Sequence, residues 1–179
     1  MLASGSPRRR ELLRRAGIRF RVRPAEVNEQ VRKGETPRAH VRRLAQAKAE
    51  AVWKPGERVL GADTVVVVDD EILGKPRNAR EARRMLRLLS GREHRVLTGV
   101  CLVERDGRRR ARVSETRVWF RPLNHAEIDH YIQGGEPFDK AGAYAIQGQA
   151  SRFVERIAGC YSNVVGLPVS RVYDMLAQP

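Results

Sequence analysis

The chain has 179 residues, 41% hydrophobic and 31% charged, with two cysteines. That is enough apolar side chain for one folded domain and too much for a disordered one; no apolar run nears the roughly 18 residues of a membrane span, and Cys101 and Cys160 make neither a disulfide framework nor a zinc site. The formal net charge is +14, and only five of the 35 basic residues are lysines: Lys33, Lys48, Lys54, Lys75 and Lys140.

Such a charge attracts polyanions. The arginines, however, are scattered along the chain, as compositional drift would leave them. Where lysine persists in so arginine-rich a chain, a compact point charge is wanted rather than a planar fork. The segment Met1-Leu2-Ala3-Ser4 has no apolar core of an export signal, so a cytoplasmic location is expected, with no membrane partner.

A short strand is expected at Met1–Ala3, then a small-residue turn at Ser4-Gly5. Ser6 is a good N-cap and Pro7 suits the first helical position, which predicts a helix to about Ala16. Ile18–Val22 reads as a second strand, Pro24–Glu35 as a polar loop. Thr36-Pro37 starts a helix through Val52, with Val41, Leu44, Ala45 and Lys48 on one face. Val59–Val68 is apolar enough to be a strand buried on both sides, followed by a turn at Asp69-Asp70 and a return strand Glu71–Leu73. Asn78 caps a third helix that stops at Ser90-Gly91. Arg95–Glu104 and Arg108–Pro122 form a hairpin around Asp106-Gly107, and Asn124-His125-Ala126-Glu127 is a capping box for a fourth helix. Lys140–Ile146 with Arg152–Ile157 reads as a further strand pair, and Pro168–Leu176 as a closing helix. Interleaved strands and helices with antiparallel hairpins mean a mixed α/β (α+β) fold with a mixed sheet, in a single domain over residues 1–179.

Four places could carry chemistry. Ser4-Gly5-Ser6-Pro7-Arg8-Arg9 puts a helix N-terminus, hydroxyls and two guanidinium groups around one point, which suits phosphate or is merely a capped basic helix. Asp63 interrupts an apolar strand, and a buried carboxylate there needs a metal, a cation or a substrate. Lys48, Lys75 and Lys140 stand where a point charge could meet phosphate, although Lys48 could also snorkel. In Ala141–Gly148 the small residues allow close backbone approach, and Gln147 could read a base edge. The four histidines have no metal-ligand spacing, so a metal would be a hard cation on carboxylates and phosphates.

Taken in order, Leu2–Leu13, Gly61-Ala62-Asp63-Thr64-Val65-Val66, Gly74-Lys75-Pro76-Arg77 and Ser162–Pro168 resemble the signatures of the Maf family of nucleoside triphosphate pyrophosphatases. Asp139-Lys140-Ala141-Gly142-Ala143-Tyr144 with Ile146-Gln147-Gly148 is similar to the subtype acting on dTTP and UTP. The resemblance implies hydrolysis of the α–β phosphate bond to the monophosphate and pyrophosphate, with Mg²⁺ or Mn²⁺. It implies Asp63 as general base, Lys48 and Lys75 beside it in catalysis, and Glu29 with Asp63 toward the metal. Ser6, Arg8, Arg9, Thr64, Lys140 and Gln147 fall at substrate-binding positions, with Arg8, Thr64 and Gln147 setting base specificity. The implied fold is that of inosine triphosphate pyrophosphatases, an elongated mixed sheet flanked by helices with a cleft between two lobes, often as a homodimer. Asn28 stands where the family often has Asp, Ala145 replaces a usual Gly and Cys160 a usual Ser. A second reading is a basic nucleic-acid-binding module without catalysis; at 6% aromatic, with no nucleic-acid motif, no specific nucleic-acid partner is expected.

Overall fold

The helices start where local signals put them. In the computed structural model, which describes residues 1–177, the Ser6 hydroxyl accepts the Arg9 N–H and Pro7 opens α1 (Pro7–Arg15). Thr36 caps α2 (Pro37–Val52), Asn78 caps α3 (Ala79–Leu89), and Asn124 with Glu127 completes the capping box of α4 (His125–Gln133). Each cap pairs an orphan first-turn N–H and is worth about 1 kcal/mol. Two helices, α5 (Tyr161–Val165) and α6 (Val169–Ala177), close the described chain.

Five strands, β1 (Val59–Val68), β2 (Glu71–Leu73), β3 (Glu93–Val103), β4 (Arg109–Phe120) and β5 (Val154–Ala158), form an antiparallel sheet in the order β2-β1-β3-β4-β5, flanked by helices. Asp69 and Asp70 turn β1 into β2 with φ of 47° and 62°, the left-handed pair that a two-residue hairpin requires, and Val67 faces Ile72 across the register. Leu2 adds parallel bridges to Val22 and Leu60. The mixed α/β class is therefore as the sequence implies.

The chain divides into two compact units. The first holds Met1–Thr64, Leu97–Ser114 and the chain from Ser162 onward. Its strand segments obey the period of two. Leu60, Ala62, Val100 and Leu102 point to one side and pack with Leu13, Leu167, Val172 and Met175. Val59, Cys101 and Val103 point to the other side and pack with Ala45 and Ala49 of α2. On that second side stand Gly61 and Gly99. A Cβ on Gly61 would collide with the Ala45 carbonyl and the Ala49 backbone, and one on Gly99 with the Val41 carbonyl. Helix α2 lies directly on the sheet because both strands carry hydrogen where it crosses.

The second unit holds Val65–Val96 and Glu115–Tyr161. It contains α3, α4 and an aromatic cluster in which His94, Phe120 and Tyr144 meet edge to face, with ring centroids 4.8–5.3 Å apart.

Three expected strands are not strands. Met1–Ala3 and Ile18–Val22 reduce to the single bridges of Leu2, because the Leu2 N–H donates to Arg21 O and the Arg23 N–H to Leu2 O before Pro24 ends the pairing. Lys140–Ile146 holds a 3₁₀ turn at Ala141–Ala143, where Gly142 (φ 69°) and Ala143 (φ 61°) are left-handed and no strand can pass. Its expected partner begins instead with a 3₁₀ turn, Gln149–Phe153, and β5 pairs with β4.

Candidate active site

Asp63 lies two residues beyond Gly61 on β1, so its side chain faces α2. Lys48 lies three residues past Ala45 and four past Leu44, on the face that α2 turns to the sheet. The close seating of the helix brings them together: Lys48 Nζ is 2.7 Å from Asp63 Oδ1 and 2.6 Å from Glu29 Oε1. Asp63 is 6% exposed and Lys48 8%, whereas the Glu29 side chain is 57% exposed. A buried carboxylate and a buried ammonium thus satisfy each other, and an exposed carboxylate joins them from the solvent side. An ammonium has three N–H donors. Two are spent here. Asp63 Oδ2 has no protein partner among the described residues.

The loop that carries Glu29 is fastened at both ends of the residue. Asn28 Oδ1 accepts the Gln30 N–H at 2.9 Å, an Asx turn centred on Glu29, which asparagine forms as well as aspartate does. Arg43 donates to Gln30 O at 3.0 Å and grips both Glu35 oxygens, from Nε to Oε1 at 2.6 Å and from NH2 to Oε2 at 2.8 Å. The His40 ring nitrogen lies 3.0 Å from the same carboxylate. The Arg43 guanidinium holds the Glu35 carboxyl far below the usual carboxylate range, against the opposing effect of burial.

Behind the strand, on the side away from α2, Arg9 is 9% exposed and spends its guanidinium on the protein. It donates to Gly166 O at 2.9 Å, Ala62 O at 2.9 Å, Ser4 Oγ at 3.1 Å and Thr64 Oγ1 at 3.0 Å. Burial pushes the guanidinium down from its usual pKa while Asp63 pulls it back up. The Thr64 hydroxyl also meets Thr98 Oγ1 at 2.9 Å and Gly166 O at 3.3 Å, and Thr98 donates to Asn163 O at 3.2 Å. Arg9 and Thr64 therefore grip the backbone on either side of Asp63. Ser6 serves as the α1 cap, and Arg8 follows in the first turn, half-buried.

The remaining sequence candidates lie in the second unit. The Gly142 N–H donates to Gly74 O at 3.0 Å, which ties the Gly74-Lys75-Pro76 segment to Asp139–Tyr144. Only glycine serves at 142: a Cβ would stand 2.8 Å from the Val66 side chain. Lys75 and Gln147 are exposed. Lys140 donates to Glu136 O at 2.6 Å and pairs with Asp139. Beneath this segment the Tyr144 hydroxyl meets His94 Nε2 at 2.8 Å, and burial lowers the His94 pKa to about 3.

Among the described residues, no group of three or more His, Cys, Asp and Glu side chains could hold a metal. Asp63 and Glu29 are two hard carboxylates meeting at one cation, Lys48. A divalent ion that takes one or two carboxylates and fills its shell with phosphate oxygens and water fits that donor set.

The structure thus brings Asp63, Lys48 and Glu29 together, and sets Ser6, Arg9 and Thr64 on the strand and helix around them. Sequence reasoning missed Thr98, Arg43 and Glu35, and gave no role to Asn163 or Gly166; Ser4 stood within the opening candidate segment, and its bond to Arg9 was not foreseen. Asn163 and Gly166 lie within the Ser162–Pro168 signature; nothing in the local sequence sets Arg43 apart from the other arginines of α2.

A family model described as Maf-like protein matches residues 1–179. The chain is 55% identical over 184 residues to a dTTP/UTP pyrophosphatase of Anaeromyxobacter dehalogenans, covering 98% of this chain and 91% of that one. It is 52% identical over 180 residues to a dTTP/UTP pyrophosphatase of Syntrophomonas wolfei, covering 99% and 95%. A crystal structure of a nucleoside-triphosphatase, also described as a dITP/XTP pyrophosphatase, from Mycobacterium abscessus superposes with a TM-score of 0.41 at 13% identity, over 68% of this chain and 74% of that one.

Proposed function

The chain belongs to the Maf family, and from that premise we propose that it hydrolyses nucleoside triphosphates, dTTP and UTP foremost, between the α and β phosphates. The observation that carries the reading is the buried Lys48–Asp63 pair with Glu29 at its exposed side. An unpaired Oδ2 on Asp63 is a proton acceptor with its partner oxygen already fixed. Water attacks the α-phosphorus in line, its proton passes to Asp63 Oδ2, and the bond to the bridging oxygen breaks to release pyrophosphate. The third N–H of Lys48 is available to a phosphate oxygen as negative charge shifts onto the leaving group. Mg²⁺ or Mn²⁺, when bound, would be held by Asp63 and Glu29 and would neutralise phosphate charge.

Ser6 and Arg8, at the start of α1, are assigned to phosphate binding, where the helix N-terminus favours anions. Arg9 and Thr64 are assigned a positioning part, since their polar atoms are spent on Ala62, Gly166, Ser4 and Thr98. Lys75, Lys140 and Gln147 keep the catalytic and substrate-binding parts that the family resemblance gives them. So does the homodimer, for which sedimentation is the check. A nucleic-acid-binding module without catalysis is not supported by the family match. The direct test is pyrophosphate release from a panel of triphosphates with Mg²⁺ or Mn²⁺ and with EDTA, set beside Asp63→Asn.

A further inference from the structure

A concentration of arginines lies on the outer flank of α2. Helical residues recur every 3.6 positions, so Arg38, Arg42 and Gln46 run along one flank of the helix, turned away from Lys48 by about 80° to 160°. Between that flank and the start of β4 runs an open groove of about 910 Å³. Six arginines line it: Arg32, Arg38, Arg42, Arg43, Arg112 and Arg171. They come from the loop before α2, from α2, from β4 and from α6. Arginine thus takes six of the 13 lining positions, in a chain that has 30 arginines among 179 residues.

Most of these cations have no carboxylate partner among the described residues. Arg43 is paired with Glu35, and the lining Glu50 is paired with Arg109 at 2.7 Å. Arg112 donates to the Ala111 carbonyl. The side chains of Arg32, Arg38, Arg42 and Arg171 have no carboxylate partner among the described residues. Other arginines do find carboxylates, as Arg23 does with Glu57, Arg83 with Asp129 and Arg92 with Asp69. Like charges converging on one concave space repel unless an anion enters it.

We propose that this groove binds a compact oligophosphate, either a free pyrophosphate or polyphosphate chain or the triphosphate tail of a nucleotide. Guanidinium forks match phosphate oxygens in pairs. The lining has no aromatic ring on which a base could stack, so the charged chain is what the groove reads. The inference does not rest on the proposed hydrolysis.

The test is calorimetric titration of tripolyphosphate into the full chain, in EDTA and at fixed ionic strength. The combined variant Arg38→Ala, Arg42→Ala, Arg112→Ala should bind about tenfold or more weakly, with an unchanged unliganded Tm, and the matching lysine variant should recover only part of the loss. Lys48→Ala should keep the binding. Parallel titrations of dTTP and ATP identify the source: affinity equal to that of tripolyphosphate assigns the nucleotide tail, and much weaker affinity assigns the free chain. Three results would overturn the proposal. One is loss of binding in Lys48→Ala with retention in the arginine variant. Another is equal binding of sulfate at the same ionic strength. The third is binding of single-stranded oligothymidylate that tripolyphosphate does not displace.

Discussion

Lys48 reaches Asp63 across 2.7 Å because α2 crosses β1 at a glycine. Any side chain at Gly61 would lift the helix, and the ammonium with it. The catalytic geometry proposed here is thus a packing result first: two glycines in adjacent strands, a flat helix, and a lysine on its apolar face.

Removing Lys48 leaves Asp63 buried without its cation. Lys48→Ala should cost about 3–5 kcal/mol of stability, as breaking one partner of a buried pair does, and should lower kcat/KM by about 100-fold or more. Lys48→Arg should restore little activity, because a planar fork cannot meet Asp63 and Glu29 from one point. Urea denaturation and steady-state pyrophosphate release check the two parts.

Arg43 should act through Glu29. Arg43→Ala frees Gln30 O and the Glu35 carboxylate together, and the loop holding Glu29 loosens. If Arg43 positions Glu29, the losses in kcat/KM for Arg43→Ala and Glu29→Gln will be non-additive, with a coupling of about 1 kcal/mol or more. Additive losses would make Arg43 a purely structural residue.

Arg9→Ala would strip donors from Ala62 O, Gly166 O and Thr64 Oγ1 at once. Unsatisfied buried acceptors cost about 1–3 kcal/mol each when nothing relaxes, so a loss on the order of 3 kcal/mol is expected. The drop in Tm should be accompanied by a fall in kcat larger than the change in KM, since the strand bearing Asp63 shifts. A main effect on KM would instead place Arg9 on the substrate.

His94 gives the second unit an acid sensitivity. Its folded pKa of about 3 is depressed from 6.5, so the unfolded chain binds the extra proton first. The contribution is full above about pH 6.5 and is lost as pH falls toward 3, by up to about 1.4 kcal/mol per pH unit. His94→Phe should flatten the slope of unfolding free energy between pH 6 and 4 by roughly that amount. An unchanged slope would mean that His94 titrates normally in the folded protein.

Much of the fold was legible because its signals are local. Ser6, Thr36, Asn78 and Asn124 cap helices through atoms three residues away, and the apolar run of β1 is buried as its composition demands. Ile18–Val22 has the alternation of a strand, yet only Val22 finds a bridge partner, Leu2. At Gly142 the decisive fact is the Val66 side chain, 76 residues earlier, which nothing in the local pattern reveals. In the site, an aspartate on an apolar strand announced that it needed a partner, and a lysine on an apolar helix face announced the same. That they answer each other depends on Gly61, whose importance appears only when the helix is seen lying on it.

The part assigned to Asp63 is tested by pyrophosphate release from dTTP and UTP by the wild-type chain and by Asp63→Asn, with nucleotide affinity measured alongside. Metal-dependent release by the wild type is expected, with a fall of about 1,000-fold or more in Asp63→Asn and nucleotide binding within a few-fold of wild type. Near-normal turnover by Asp63→Asn would contradict that assignment, and so would a folded wild-type chain that releases no pyrophosphate from any triphosphate.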